Sequence, residues 1–211
     1  MIVVEAHPGR DLRILDREKE MVRLGDSAFS DGRLSASAQA RALSTISRFL
    51  DLARRRAVDA VVAAATSAVR EADNGRQFLA LVRRDTGQHV GLLGVHEEAR
   101  LIYLAVRDAT DLRDKPSLIV DVGGGSTELI VGDAVSMRHA ESLPLGVLRL
   151  NAQFDGTKPM RAKRRKALRQ HVRAVIDEMA MKARAAGVTR VVGTAGTVNA
   201  MARVLLAAEN R

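Results

Sequence analysis

An α/β fold is what this sequence predicts, on three observations. Short apolar runs of strand length alternate with longer stretches of helical periodicity along the chain. Apolar residues make up 46% of 211 residues, enough to build a sizeable core, and aromatic residues only 2%, so that core must be made of Ala, Val, Leu and Ile. Two glycine-threonine stretches, 123–127 and 193–197, stand at the ends of strand-like runs.

Taken in order, an opening strand is expected at 2–6, and 12–17 and 20–24 read as strand or hairpin material. A helix is expected over 35–56. Ser35 is suited to cap it, and Ala42, Ile46, Phe49, Leu50 and Ala53 fall on one face. The run 59–65 reads as a buried strand ending at Thr66-Ser67. Residues 68–84 read as helical with a break at Asn74-Gly75, 90–93 as a short strand, and 97–106 as a helix with Leu101, Leu104 and Ala105 inward.

The polar stretch 108–116 is the expected domain boundary, dividing the chain into 1–112 and 113–211. Strands are expected beyond it at 117–122, 127–132 and 134–140. A helix over 158–186 follows, with Leu168, Val172, Val175, Ile176, Met179 and Ala183 on one stripe. A strand at 189–192 then leads into the second glycine-threonine turn and a last helix ending near 207.

The most informative stretch is Asp121-Val122-Gly123-Gly124-Gly125-Ser126-Thr127-Glu128. Three glycines let a backbone turn tightly and approach an anion, and Ser126 and Thr127 add hydroxyl donors. Asp121 and Glu128 would repel a bare phosphate, so carboxylates beside such a cradle point to a bridging divalent cation. The strand–turn–strand setting excludes a dinucleotide-binding fingerprint, which needs a helix after the glycines. The missing Gly-Lys-Ser/Thr excludes a Walker loop. A plain glycine hairpin is the bland alternative, and the flanking acids and hydroxyls weigh against it. The second glycine-threonine turn alone is an ordinary connection, but paired with the first it could hold the other end of a phosphate chain across a cleft.

The absence of cysteine excludes disulfides, Cys-ligated zinc and thiol catalysis. The first residues lack the features of a secretory signal and no apolar run has membrane-spanning length, so a soluble cytoplasmic protein without a membrane partner is expected. The formal charge of +9 favours polyanionic ligands. Much of the excess lies in Arg54-Arg55-Arg56 and in Arg161-Ala162-Lys163-Arg164-Arg165-Lys166, each of which reads first as a solvated helix face. Stacking aromatics do not interleave them, which argues against nucleic acid.

Five motifs in order resemble one family. They are Ala65-Thr66-Ser67-Ala68-Val69-Arg70-Glu71-Ala72-Asp73-Asn74, then His96-Glu97-Glu98-Ala99-Arg100-Leu101-Ile102-Tyr103, then Val120 to Leu129 around the glycine loop. Leu143-Pro144-Leu145-Gly146-Val147-Leu148-Arg149-Leu150 and Val192-Gly193-Thr194-Ala195-Gly196-Thr197 complete the set. Together they resemble the exopolyphosphatase / guanosine-pentaphosphate phosphohydrolase (Ppx/GppA) family, whose members adopt a duplicated actin-like ATPase (sugar kinase–Hsp70–actin) fold.

The resemblance implies roles. Glu97 corresponds to the family's catalytic glutamate, acting as general base or orienting the attacking water, with Glu98 its adjacent competitor. Asp121 and Glu128 correspond to acids associated with Mg2+ and water. Gly123, Gly124, Gly125, Ser126 and Thr127 correspond to the phosphate loop, Arg70 to a phosphate-facing arginine, and Gly193, Thr194, Gly196 and Thr197 to a distal phosphate loop.

The chain departs from the pattern in having Gly94-Val95 where the family shows Ser-Gly, so the segment presenting Glu97 is expected to differ. It begins after the family's opening strand and Asp-x-Gly-(Ser/Thr)-Asn-Ser loop and stops early in the second domain. A fragment or an incompletely read gene is therefore expected, with the first domain lacking its opening strand and the second incomplete. The expected function is release of terminal phosphate from polyphosphate or guanosine pentaphosphate, with a homodimer left open. The scarcity of aromatics and the basic charge favour polyphosphate. The alternative is a truncated relative that binds polyphosphate or an alarmone without hydrolysis. An ATP-dependent kinase of the same superfold ranks below both.

Overall fold

The computed structural model describes residues 1–7, 12–112, 115–154 and 159–209. The chain divides into two compact units, Met1–Leu92 and Leu93–Arg211, both of them α/β.

In the first unit β1 (Ile2–Glu5) pairs antiparallel with β2 (Arg13–Arg17), with an irregularity between Val3 and Val4. Segment 20–24 forms no strand. Arg23 takes a left-handed backbone (φ 56°), turning the chain into α1 (Gly25–Asp31), and Val22 and Leu24 pack on the helical core. The expected second helix is α2 (Ala36–Arg55), and Ser35 caps it by accepting the Ala38 N–H at 3.2 Å.

Only the last three residues of the run 59–65 form a strand, β3 (Ala63–Ala65), and Val62 is 95% exposed. The helical stretch after it does break where expected, into α3 (Ser67–Glu71) and α4 (Gly75–Thr86), before β4 (Val90–Leu92), which pairs parallel with β3. The break is held by the buried Asn74. Its amide accepts the Leu34 N–H at 2.8 Å and donates to the Leu34 carbonyl at 2.9 Å. Next to it, a Cβ on Gly75 would lie 1.9 Å from the Val69 carbonyl oxygen, so only glycine fits.

The second unit starts with α5 (Val95–Ala109). Its sheet runs β7-β6-β5-β8, formed by β5 (Ser117–Val122), β6 (Thr127–Gly132), β7 (Met137–Leu143) and β8 (Arg190–Thr194). The first three strands form an antiparallel meander, and β8 lies parallel to β5. Three helices complete the unit: α6 (Val147–Phe154), α7 (Ala162–Ala185) and α8 (Ala195–Glu209). Residue 158, the expected start of the α7 helix, lies outside the described residues. The connector 108–116 joins α5 to β5 inside this unit, and residues 113–114 of it are also undescribed.

Strand alternation sorts the core into two faces. Ile119 and Ile130 meet Ala99, Tyr103 and Val106 of α5, whereas Leu129 and Val131 meet Met179 and Ala183 of α7. Full burial of an Ile or Val side chain contributes about 1.5–3 kcal/mol. The inward face of α5 is only partly the expected one. Leu104 packs against this core as expected, but Leu101 is 41% exposed, Ala105 is exposed, and the chain buries Tyr103. The Tyr103 ring lies where a side chain on Gly132 would be, 2.8 Å from that residue's ideal Cβ, and its hydroxyl donates to the Asp133 carbonyl at 2.8 Å. Among the described residues no helix is long and apolar enough to cross a membrane.

Candidate functional site

The same alternation that places Ile119 and Ile130 against α5 places Asp121 and Glu128 on that face, two residues further toward the hairpin. The two acids are directly paired across β5 and β6, and Glu128 pairs in turn with Ser142 of β7. Glu128 is buried, and the Ser142 hydroxyl donates to its Oε1 at 2.8 Å. Asp121 is half-buried. Burial first, then the charges of Glu128 and Glu98, push its carboxyl up to about 6 from an ordinary 3.8.

Glu98 stands in the first turn of α5. It is thus the glutamate that shares the electrostatic field of Asp121. Glu97 is engaged elsewhere, its two carboxylate oxygens taking the Arg100 Nε and Nη2, each at 2.8 Å. That bond holds Glu97 below the usual carboxylate range. Adjacent helix residues differ by about 100° in direction, so the two glutamates cannot serve one point.

The glycine loop closes the β5–β6 hairpin, with the Gly123 N–H donating to the Ser126 carbonyl at 3.0 Å. None of Gly123, Gly124 and Gly125 has a positive φ, so left-handed backbone is not why they are glycines. A Cβ on Gly123 or Gly124 would meet its nearest neighbour at 3.1 or 3.3 Å, and the closest approach here is at Gly146. A Cβ on Gly146 would lie 2.2 Å from the Gly125 carbonyl carbon, and the chain after Gly146 folds directly onto the loop. There the Val147 N–H donates to the Gly123 carbonyl at 3.0 Å, the Leu148 N–H to that of Gly124 at 2.8 Å, and the Arg149 Nε to that of Gly125 at 2.9 Å. Peptide planes are trans, so a carbonyl held on one side turns the next N–H to the other. The N–H groups of Gly124, Gly125 and Ser126 accordingly face away from α6, and they make no hydrogen bond among the described residues. Three successive donors of this kind are the raw material of an anion cradle. The Thr127 hydroxyl is not part of it, since it donates to the Leu145 carbonyl at 3.0 Å.

The second glycine-threonine stretch is not a free turn. Gly193 and Thr194 end β8, where they pair with Val120 and Asp121, and Ala195 opens α8 with a left-handed φ of 68°. The first turn of α8, carrying Gly196 and Thr197, thus begins beside Asp121 at the same edge of the sheet. Gly193 is required by packing, because a Cβ there would lie 2.5 Å from Val198 Cγ1. Arg70 belongs to the first unit, in the last turn of α3.

Residues 2–211 match the model of the Ppx/GppA phosphatase family. The chain belongs to this family. Exopolyphosphatase 1 of Mycobacterium tuberculosis is 32% identical over 99% of the chain, which spans 61% of that relative's length. A guanosine-5'-triphosphate,3'-diphosphate pyrophosphatase of Aeromonas hydrophila is 30% identical over 98% of the chain and 41% of its own length. Among solved structures, an exopolyphosphatase from Cytophaga hutchinsonii overlays with a TM-score of 0.93 at 27% identity, covering all of this chain and 67% of that one. The Aquifex aeolicus Ppx/GppA member gives 0.72 at 27% identity over 93% of this chain and 62% of that one.

In this Ppx/GppA chain no group of three or more His, Asp or Glu residues is placed to hold a metal by itself, among the described residues. A pair is enough for Mg2+, which takes one or two carboxylates and completes its shell with water and substrate phosphate. Asp121, crowded by two like charges, has the electrostatics of such a ligand. The helix α6 and the loop-holding role of Gly146 and Arg149 have no counterpart in the sequence reading. The signal was present in the motif Leu143 to Leu150, to which no role was attached.

Proposed function

We propose that this Ppx/GppA chain carries the hydrolytic half-site of a phosphohydrolase that releases terminal orthophosphate from polyphosphate or guanosine pentaphosphate. The observation that carries this reading is Glu98 sharing the field of Asp121 and Glu128 beside the glycine-loop cradle. In this reading the N–H groups of Gly124, Gly125 and Ser126 bind terminal phosphate oxygens, and the first turn of α8 at Gly196 and Thr197 binds the neighbouring phosphate. Arg70 is assigned a phosphate by motif alone. Glu98, rather than the expected Glu97, orients the attacking water and accepts its proton as the new P–O bond forms. The P–O–P bridge breaks on the opposite side, and its oxygen leaves on the shortened chain. Asp121, with Glu128 behind it, would hold a divalent cation such as Mg2+, whose chemistry is to neutralise phosphate charge. Glu128, held by the Ser142 hydroxyl, supplies the second carboxylate.

Orthophosphate release from polyphosphate and from guanosine pentaphosphate tests this. Glu98→Gln should lower kcat by about 10²–10⁴-fold, the usual range for losing a general base. Glu97→Gln should change it by only a few fold. The reverse ranking would overturn the assignment of the base. Tight polyphosphate binding by the unmodified chain with no release would favour the binding-only reading.

A further inference from the structure

The first half of α7 carries Lys163, Arg164, Arg165, Lys166, Arg169 and Arg173, and no acidic residue stands between Pro159 and Ile176. A helix N-terminus carries partial positive charge, so cations in the first turn are placed against the macrodipole. They also repel one another at spacings of three and four, at about 0.2–0.5 kcal/mol per pair. Among the described residues nothing offsets this for five of them: Lys163, Arg165, Lys166, Arg169 and Arg173 are exposed and make no ion pair there. By contrast Lys182, near the other end of the same helix, is bound by both Glu141 and Glu178.

Four of the five, all but Arg165, form a line. At about 100° and 1.5 Å per residue they fall within one sector of about 120° and span about 15 Å along the helix. A line of uncompensated cations at regular spacing matches a ligand with regularly repeated anionic charge. We infer that this stripe is a docking track for linear polyphosphate, separate from the cradle at the glycine loop. The inference rests on polyphosphate being a ligand of the chain, as in the proposed function. Nucleic acid fits less well, because the stripe holds no aromatic side chain for a base to stack on. The nearby rings of Phe154 and His171 are packed on each other, 5.6 Å apart.

The test compares the full chain with the combined variant Lys163→Gln, Lys166→Gln, Arg169→Gln and Arg173→Gln. Affinity for long-chain polyphosphate is measured across a salt series, and hydrolysis of tripolyphosphate, too short to reach along the stripe, is measured in parallel. Each lost phosphate contact lowers the slope of log affinity against log salt by about one. The quadruple variant should therefore lose about three to four from the slope, with tripolyphosphate hydrolysis unchanged. The pair Lys163→Arg and Lys166→Arg should keep the slope, because the charge is kept. If the quadruple variant unfolds, Lys163→Gln and Lys166→Gln singly should each remove about one.

An unchanged slope overturns the track. So does duplex DNA bound as tightly as polyphosphate and lost in the same variant, which would make the stripe a nucleic-acid surface. If no substrate is hydrolysed but stripe-dependent polyphosphate binding persists, the hydrolase reading falls and the track stands.

Discussion

Replacing Asp121 with Asn should stabilise the metal-free protein at pH 8. Burial first, then the charges of Glu128 and Glu98, push the Asp121 carboxyl up to about 6 from 3.8. The two values differ by about 2 pH units, worth about 3 kcal/mol at full effect. Asp121 is only half-buried, and solvent screening leaves about 1 kcal/mol of that. An acid whose folded-state value lies above its unfolded one binds protons more tightly when folded. Its contribution is therefore favourable at low pH, and stability declines as pH rises from about 4 to about 6. The Asn variant lacks this titration. Its midpoint should exceed that of the unmodified chain by about 2–4 °C at pH 8, with the gain gone near pH 4. Thermal denaturation in chelator at both pH values is the assay. Adding Mg2+ at pH 8 should raise the midpoint of the unmodified chain and leave that of the variant unmoved. Equal midpoints at pH 8, or a gain that persists at pH 4, would refute the idea that burial and neighbouring charge raise this carboxyl.

Gly146→Ala inserts a methyl 2.2 Å from the Gly125 carbonyl carbon and should cost about 1–3 kcal/mol, seen in thermal denaturation together with weakened phosphate binding. Asn74→Ala leaves both polar backbone groups of Leu34 without their partners and should cost about 2–3 kcal/mol by urea denaturation. Ala195→Gly relieves a left-handed residue and should stabilise by up to about 1 kcal/mol, measured the same way, provided α8 still forms.

Features fixed by local chemistry were legible before any coordinates. Ser35 capping α2, the helix break at Asn74-Gly75 and the hairpin around Gly123 to Gly125 each follow from what those side chains can do next to their own backbone. Features that depend on rotation or on a distant partner were not. Two adjacent glutamates on a helix look equivalent in sequence, and only the docking of α5 on Ile119 and Ile130 makes Glu98 the one whose charge bears on Asp121. The leucine at 101 outscored Tyr103 in the apolar pattern, yet the space left by Gly132 admits the tyrosine. The stretch 193–197 looked like a loop because glycine usually marks one. It is instead a strand end running straight into a helix, with the small residue demanded by Val198.

The three hydrogen bonds from Val147, Leu148 and Arg149 to the glycine-loop carbonyls settle when the loop becomes ordered. A loop of bare glycines would otherwise sample many conformations and lose that freedom each time an anion arrived. Here the ordering is completed during folding, so in the proposed reading the donors are already aimed when an anion comes. Damage to the α6 clasp should then be felt as slower or weaker capture of phosphate, with the bond-breaking step itself little altered. A helix that touches no substrate would in this way set the concentration range over which the site fills.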